Sequence, residues 1–80
     1  MKHELDVRRL LCPIPVIRTQ NCVKTLQQGD ELKVLATDPG VLNDVPAWCR
    51  INGHEVLEAG RDGQEVFVLL RVGEQEDALF

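Results

Sequence analysis

The segment Leu10 to Pro15, which reads LLCPIP, separates an extended pattern from a helical one. Before it, Leu5 and Val7 alternate with charged residues, which predicts a first strand within Glu4 to Leu11. After it, in VIRTQNCVKTLQQ, apolar or small residues recur at helical spacing. Gly29 then provides a natural helix stop. The sequence therefore predicts a β-α unit whose junction lies at the two prolines.

The two prolines are compatible with the start of a helix. With Cys12 as the N-cap, Pro13 is the first helical residue and Pro15 the third. Both amides fall among the first four of a helix, which have no intrahelical acceptor. The backbone donors nearest the sulfur are then expected to be the N–H groups of Ile14 and Val16.

A cysteine in this position is expected to be reactive. The start of a helix carries a partial positive charge, which stabilises a thiolate and lowers the pKa of the thiol. Arg8 and Arg9 add positive charge upstream. The alternative is that Cys12 is a small buried apolar residue. Cys22 and Cys49 lie on or near apolar helical stripes, and we interpret both as packing residues.

The remaining chain continues with one strand, a helix and a two-stranded hairpin. The alternation of Leu32, Val34 and Ala36 predicts a strand over Glu31 to Thr37, and Asp38-Pro39-Gly40 has the composition of a turn. The further predictions are a helix over Asn43 to Ile51 with Pro46 in its first turn, strands over Val56 to Ala59 and Glu65 to Val72, and a hairpin turn at Gly60 to Gly63. The expected fold class is α+β, a two-layer sandwich of β-α-β-α-β-β order. Two helices cover one face of a four-stranded mixed sheet.

Length and composition favour a single domain over residues 1–80, with residues 73–80 as a loose tail. The net charge of −4 argues against direct nucleic-acid binding. No apolar run has membrane-spanning length and no export signal is evident, so we expect a cytoplasmic protein that makes no membrane contact. The 3 cysteines show no paired spacing, so neither a disulfide framework nor a metal site is predicted.

Three stretches together resemble the TusA/SirA family of small sulfur-carrier proteins. They are L-D-x-x-x-x-x-C-P-x-P from Leu5, G-D-x-L-x-V-x-A-x-D-P-G from Gly29, and D-V-P-x-W-C-x-x-x-G-H from Asp44. The resemblance runs from Leu5 to about Val72 and implies the same two-layer fold.

The resemblance also implies a function. Cys12 would accept a sulfane sulfur as a persulfide from a cysteine desulfurase or a rhodanese-like donor. It would pass that sulfur to an acceptor protein in tRNA thiolation, cofactor sulfuration or sulfur oxidation. Such a sulfurtransferase-like carrier needs no cofactor and is expected to be a monomer. Two alternatives remain: a non-catalytic interaction or regulatory module that uses an exposed Pro-x-Pro ledge, and a thiol redox protein, which the lack of a neighbouring resolving cysteine disfavours.

The sequence departs from the family pattern at two positions near Cys12. Arg9 stands where the family usually has glycine, and Ile14 occupies a position that is acidic in the family member best known from tRNA thiolation. Asp38 is a possible supporting residue, because the ends of two parallel strands would bring it to the edge that holds Cys12. The favoured role for Asp38 is to bind its own turn backbone, because a carboxylate in contact with the sulfur would raise the pKa of the thiol.

Overall fold

The computed structural model describes residues 1–74, and six elements follow one another in the predicted order. They are β1 (Lys2–Asp6), α1 (Ile14–Val23), β2 (Glu31–Ala36), α2 (Val41–Asn52), β3 (Glu55–Asp62) and β4 (Glu65–Arg71). The strands form one sheet in the order β1-β2-β4-β3. Strand β1 is parallel to β2, and the other two pairings are antiparallel. The predicted α+β class and mixed sheet are therefore confirmed.

The core lies between the sheet and the two helices. Alternate residues of β2 and β4 face the helices, and each strand buries three of them. The buried apolar residues are Val7, Val23, Leu32, Val34, Ala36, Val41, Val45, Cys49, Val66, Val68, Leu70 and Val72. β-branched valines dominate this set, as expected for side chains that pack on a pleated surface. The predicted alternation on the two central strands is confirmed.

The first strand ends earlier than predicted, at Asp6 rather than near Leu11. The chain turns there because Arg9 adopts a left-handed backbone with φ of 71°. The Leu10 N–H donates to the Val7 carbonyl across this turn at 3.3 Å. Left-handed backbone is easy for glycine and strained for other residues. Glycine at this position would therefore be less strained than Arg9.

Both helices differ from their predicted bounds. Helix α1 ends at Val23, well before Gly29, because the chain tightens into i→i+3 bonds: Thr25 N–H donates to the Cys22 carbonyl at 3.0 Å. Helix α2 begins at Val41, two residues before the predicted start, so Pro46 lies inside the helix and not in its first turn.

The β3–β4 hairpin is longer than predicted. Asp62 pairs with Glu65, so the turn is the two residues Gly63 and Gln64, and Gly60 lies inside β3. Gly60 leaves room for the Phe67 ring, because a Cβ built there would lie 3.3 Å from Phe67 Cε1. The predicted loose tail falls mostly on residues 75–80, which lie outside the described residues.

Candidate functional site

Cys12 lies in the loop between β1 and α1, where its side chain is exposed. Three hydrogen bonds fasten this loop to the end of β2. Backbone N–H groups donate from Val7 to the Leu35 carbonyl at 2.8 Å and from Arg9 to Thr37 Oγ1 at 2.9 Å. The third runs from the Cys12 N–H to Asp38 Oδ2 at 3.1 Å. The position of Cys12 is therefore set by the parallel pairing of β1 with β2.

The helix begins one residue later than predicted. Pro13 is the N-cap and Pro15 lies at the second helical position, so Cys12 precedes the cap instead of forming it. The Ile14 N–H, expected to be free near the sulfur, donates to the Leu11 carbonyl at 3.0 Å. The Cys12–Pro13 peptide bond is cis. Pro15 is buried, so the expectation of an exposed Pro-x-Pro ledge is wrong for its second proline, and Val16 is partly buried against the core. These two residues anchor the helix start beneath the exposed loop.

Asp38 connects the two loops at this edge of the sheet. Its Oδ1 accepts the N–H of Gly40 at 2.9 Å, within its own turn, while Oδ2 accepts the N–H of Cys12. These hydrogen bonds to the ionised form lower the pKa of the Asp38 carboxyl. Asp38 therefore has both roles considered from the sequence: it binds its own turn, and it holds the Cys12 loop.

The residue that touches the sulfur most closely was missed by sequence reasoning. Asp44, in the first turn of α2, accepts a hydrogen bond from Cys12 Sγ at 3.0 Å. A Cβ built on Gly40 would lie 3.5 Å from Cys12 Sγ. The only available signal was that Asp44 follows Asp38 by six residues across a Pro-Gly turn, so both acids return to the same loop.

This arrangement reverses the expected electrostatics of Cys12. The pKa of the thiol is raised to about 12, first by its hydrogen bond to Asp44, then by partial desolvation and by Asp38. A nearby carboxylate disfavours a second negative charge, and here that effect exceeds any from the helix start. The expectation of a thiolate at neutral pH is therefore wrong for the free protein, in which Cys12 is a neutral hydrogen-bond donor.

We expected the two arginines to add positive charge near Cys12, and the structure gives them other partners and roles. The Arg8 guanidinium donates to both oxygens of Asp6, at 2.9 Å each, and to Glu65 at 3.2 Å. Its charge is thus engaged by two other carboxylates. Arg9 contributes its backbone N–H to the loop, and its left-handed conformation shapes the turn before Cys12.

An exposed apolar surface surrounds the cysteine. We call it the apolar ledge and define it as Leu11, Pro13, Ile14 and Ile17. Leu11 is 74% exposed, Ile14 is 40% and Ile17 is 47%. Ile14 and Ile17 are three residues apart on α1 and so share one face of the helix. Large apolar side chains that cluster on a surface are typical of a protein-binding site.

The other two cysteines and the rings of Trp48 and His54 are packing residues that lie at least partly buried. Cys49 is buried and Cys22 is partly buried, and desolvation raises the pKa of both thiols, that of Cys49 to about 11. His54 is buried, stacks on Trp48 with 5.0 Å between ring centroids, and accepts the Gly73 N–H at Nδ1 at 2.9 Å. Both rings therefore support the packing between α2 and the end of β4.

The part of the chain that the structure describes shows no group of three metal-ligating side chains in metal-binding proximity. Within that same part, neither helix is long and apolar enough to cross a membrane.

Comparison with known proteins gives one consistent family. The model of the family described as Sulfurtransferase TusA matches residues 3–72. A protein of Neisseria meningitidis serogroup A, provisionally named a sulfur carrier, is 48% identical over 67 residues, covering 82% of this chain and 88% of its own length. Sulfur carrier protein TusA of Allochromatium vinosum is 34% identical over 69 residues, covering 86% of this chain and 91% of its own.

A solved structure shares the fold. The SirA-like protein of Desulfitobacterium hafniense superposes with a TM-score of 0.78, covering 90% of this chain and 99% of that protein. The two sequences are 24% identical, so the likeness speaks for the fold alone.

Proposed function

The chain belongs to the TusA family, and we propose that it is a sulfur carrier that holds a sulfane sulfur as a persulfide on Cys12. The family membership gives the class of reaction. Exposure supports Cys12 as the residue that carries it: among the three cysteines only Cys12 is exposed, while Cys22 is half-buried and Cys49 is buried. A sulfur atom that passes between proteins must be reachable by both of them.

The transfer is redox-neutral overall. The sulfur of Cys12, as its thiolate, attacks the terminal sulfur of a donor persulfide, R–S–SH. The new S–S bond forms as the donor's own S–S bond breaks, and the donor leaves as a thiolate that takes up the proton released by Cys12. The products are Cys12–S–SH and R–SH. Delivery to an acceptor thiol repeats the same exchange in the opposite sense, and neither step requires an oxidant or a cofactor.

The apolar ledge is suited to bring such partners to the sulfur. It lies on both sides of Cys12 in sequence and begins helix α1, whose buried Pro15 and Thr19 fix it to the core. We propose that the donor, a cysteine desulfurase or rhodanese-like protein, and the acceptor both dock here, in the cytoplasm, on a monomeric carrier. Tests of tRNA thiolation, cofactor sulfuration and sulfur oxidation would distinguish the pathways.

The same ledge supports a second candidate function, a non-catalytic interaction or regulatory module. Leu11, Ile14 and Ile17 are all exposed, and such a cluster of apolar side chains is more readily explained by binding than by folding. This candidate predicts a ledge that binds a partner whether or not Cys12 is intact.

One experiment separates the two candidates. The protein is mixed with a cysteine desulfurase, pyridoxal phosphate and sulfur-labelled cysteine, and also, separately, with a chemical polysulfide donor, and intact mass is measured. The wild type and the matched control Cys22→Ser should each gain one sulfur, whereas Cys12→Ser should gain none. Label that persists in Cys12→Ser would move the site to another cysteine. Absence of label from both donors would favour the interaction module.

A further inference from the structure

The contact between Cys12 and Asp44 joins two separate elements. Cys12 lies on the β1–α1 loop, and Asp44 lies on α2, where its own N–H is committed to the Gly40 carbonyl at 2.9 Å. The helix thus fixes the backbone of Asp44, and its side chain reaches Cys12 Sγ at 3.0 Å. Asp44 takes no part in the exchange of S–S bonds itself.

We propose that Asp44 makes the empty and the sulfur-loaded forms of Cys12 differ in reactivity, by holding the empty thiol as a hydrogen-bond donor and repelling the loaded perthiolate. This proposal deepens the proposed function and rests on it. It makes Asp44 the residue that controls the protonation of the reacting sulfur.

The empty form is held by a bond that only a protonated sulfur can make. The charged groups that act on Sγ are Asp44, through this bond, and Asp38, whose Oδ2 lies at the Cys12 N–H. Both are carboxylates, so both favour the neutral thiol over the thiolate. An empty carrier in this state reacts slowly with stray electrophiles and oxidants, because the thiolate is the nucleophile.

The loaded form loses that bond. A persulfide is more acidic than the parent thiol, because the second sulfur weakens the S–H bond and spreads the charge, so the terminal sulfur is anionic at neutral pH. An anion has no proton to donate to Asp44, and the two carboxylates repel it. The terminal sulfur is therefore driven away from α2 and toward solvent beside the apolar ledge, where an acceptor would dock.

The test compares alkylation of Cys12 in wild type, Asp44→Asn and a matched control, Glu58→Gln. The control removes one exposed acid from β3, the edge strand opposite β1. Iodoacetamide is the probe, and peptide mass spectrometry assigns the product to Cys12. Circular dichroism checks folding, and Asp44→Ser repeats the measurement with a shorter side chain.

For the empty protein we expect alkylation at neutral pH to rise about three- to thirtyfold in Asp44→Asn. Each unit by which the pKa falls raises the thiolate population tenfold and lowers its nucleophilicity about threefold, a net gain of about threefold. A full return of the pKa from about 12 to the ordinary 9.0 sets the upper limit. The pH–rate profile should move to lower pH in Asp44→Asn and stay in place in Glu58→Gln.

The same two proteins are then loaded with sulfur from sodium polysulfide, and loading is verified by intact mass. The alkylation rates of loaded wild type and loaded Asp44→Asn should agree within about twofold, because the perthiolate is ionised in both. The loaded-to-empty rate ratio should therefore fall in Asp44→Asn. Equal empty-form rates in the two proteins would overturn the proposal. Equal acceleration of both forms would also overturn it, since Asp44 would then only restrict access. Failure of Cys12 to load at all removes the proposed function, and the empty-form rates still show separately whether Asp44 holds the thiol.

Discussion

Arg9 offers the sharpest test of how the backbone positions Cys12. Its φ of 71° places a side-chain-bearing residue in the left-handed region, at the turn that carries the chain from β1 to the cysteine. Such a conformation costs an L-residue about 1–2 kcal/mol. Glycine removes that cost, but it also raises the conformational entropy of the unfolded chain, which destabilises the fold by about 0.4–1 kcal/mol. The net expectation for Arg9→Gly is a free energy of unfolding about 0.5–1 kcal/mol higher than that of a variant that keeps a Cβ.

That variant is Arg9→Ala, which removes the charge and the long side chain but retains the strained Cβ. Comparing Arg9→Gly with Arg9→Ala therefore isolates the backbone contribution from the loss of the guanidinium. Urea unfolding followed by circular dichroism measures the difference, and thermal unfolding should show a gain of about 2–8 °C for a domain of this size. An Arg9→Gly protein less stable than Arg9→Ala would refute the assignment of a left-handed turn at this position.

Two further predictions concern the opposite end of the molecule. In urea unfolding, Gly73→Ala should lower the free energy of unfolding by about 1–3 kcal/mol. A Cβ at this position would collide with the Gly53 carbonyl and disturb the hydrogen bond from the Gly73 N–H to His54. The control Glu74→Ala should leave the free energy of unfolding unchanged. Burial lowers the pKa of His54 below 6.5, so the unfolded chain takes up the proton first. The free energy of unfolding should therefore fall as the pH drops through 6.5 toward the pKa of His54 in the folded protein. His54→Gln should lose this pH dependence, and the control His3→Gln should keep it. A pH dependence that persists in His54→Gln would contradict its assignment to His54.

The parts of the fold that follow from repeating patterns were predictable from the sequence. The alternation at Leu32, Val34 and Ala36 identified β2 and its buried face, because a strand with one covered face must alternate. Gly53 likewise marks the end of α2, where it adopts a left-handed φ of 79°.

The ends of elements were less predictable, because they depend on single residues in unusual conformations. Nothing in the composition of the segment before Cys12 required Arg9 to take up the left-handed turn that ends β1. The early end of α1 depends on Thr25, whose Oγ1 donates to the Cys22 carbonyl at 2.7 Å and satisfies a helix-terminal acceptor. Gly29, four residues later, was the clearer sign of a helix end in the sequence, but it does not set the end of α1 in the structure.

The electrostatics of the site could not be deduced by reasoning along the chain. The helix start is a property of residues adjacent to Cys12, and it favours a thiolate. The opposing carboxylates come from residues 26 and 32 positions away, and only the folded structure brings them to the sulfur. A side-chain hydrogen bond at 3.0 Å acts on a single atom, whereas the helix dipole is spread over several amides, so the local bond decides the charge state of the thiol.

The position of these acids follows from the architecture of the sheet. Parallel pairing of Asp6 with Leu35 brings the chain leaving β1 and the chain leaving β2 to the same edge. The loop after β2 must then start α2 close to Cys12, so the first acidic residue of that helix faces the sulfur. A carrier built this way holds its empty thiol in a protonated state by default. If Cys12 loads as proposed, ionisation of its persulfide reverses the interaction with Asp44 and couples the reactivity of the site to whether it holds a sulfur atom.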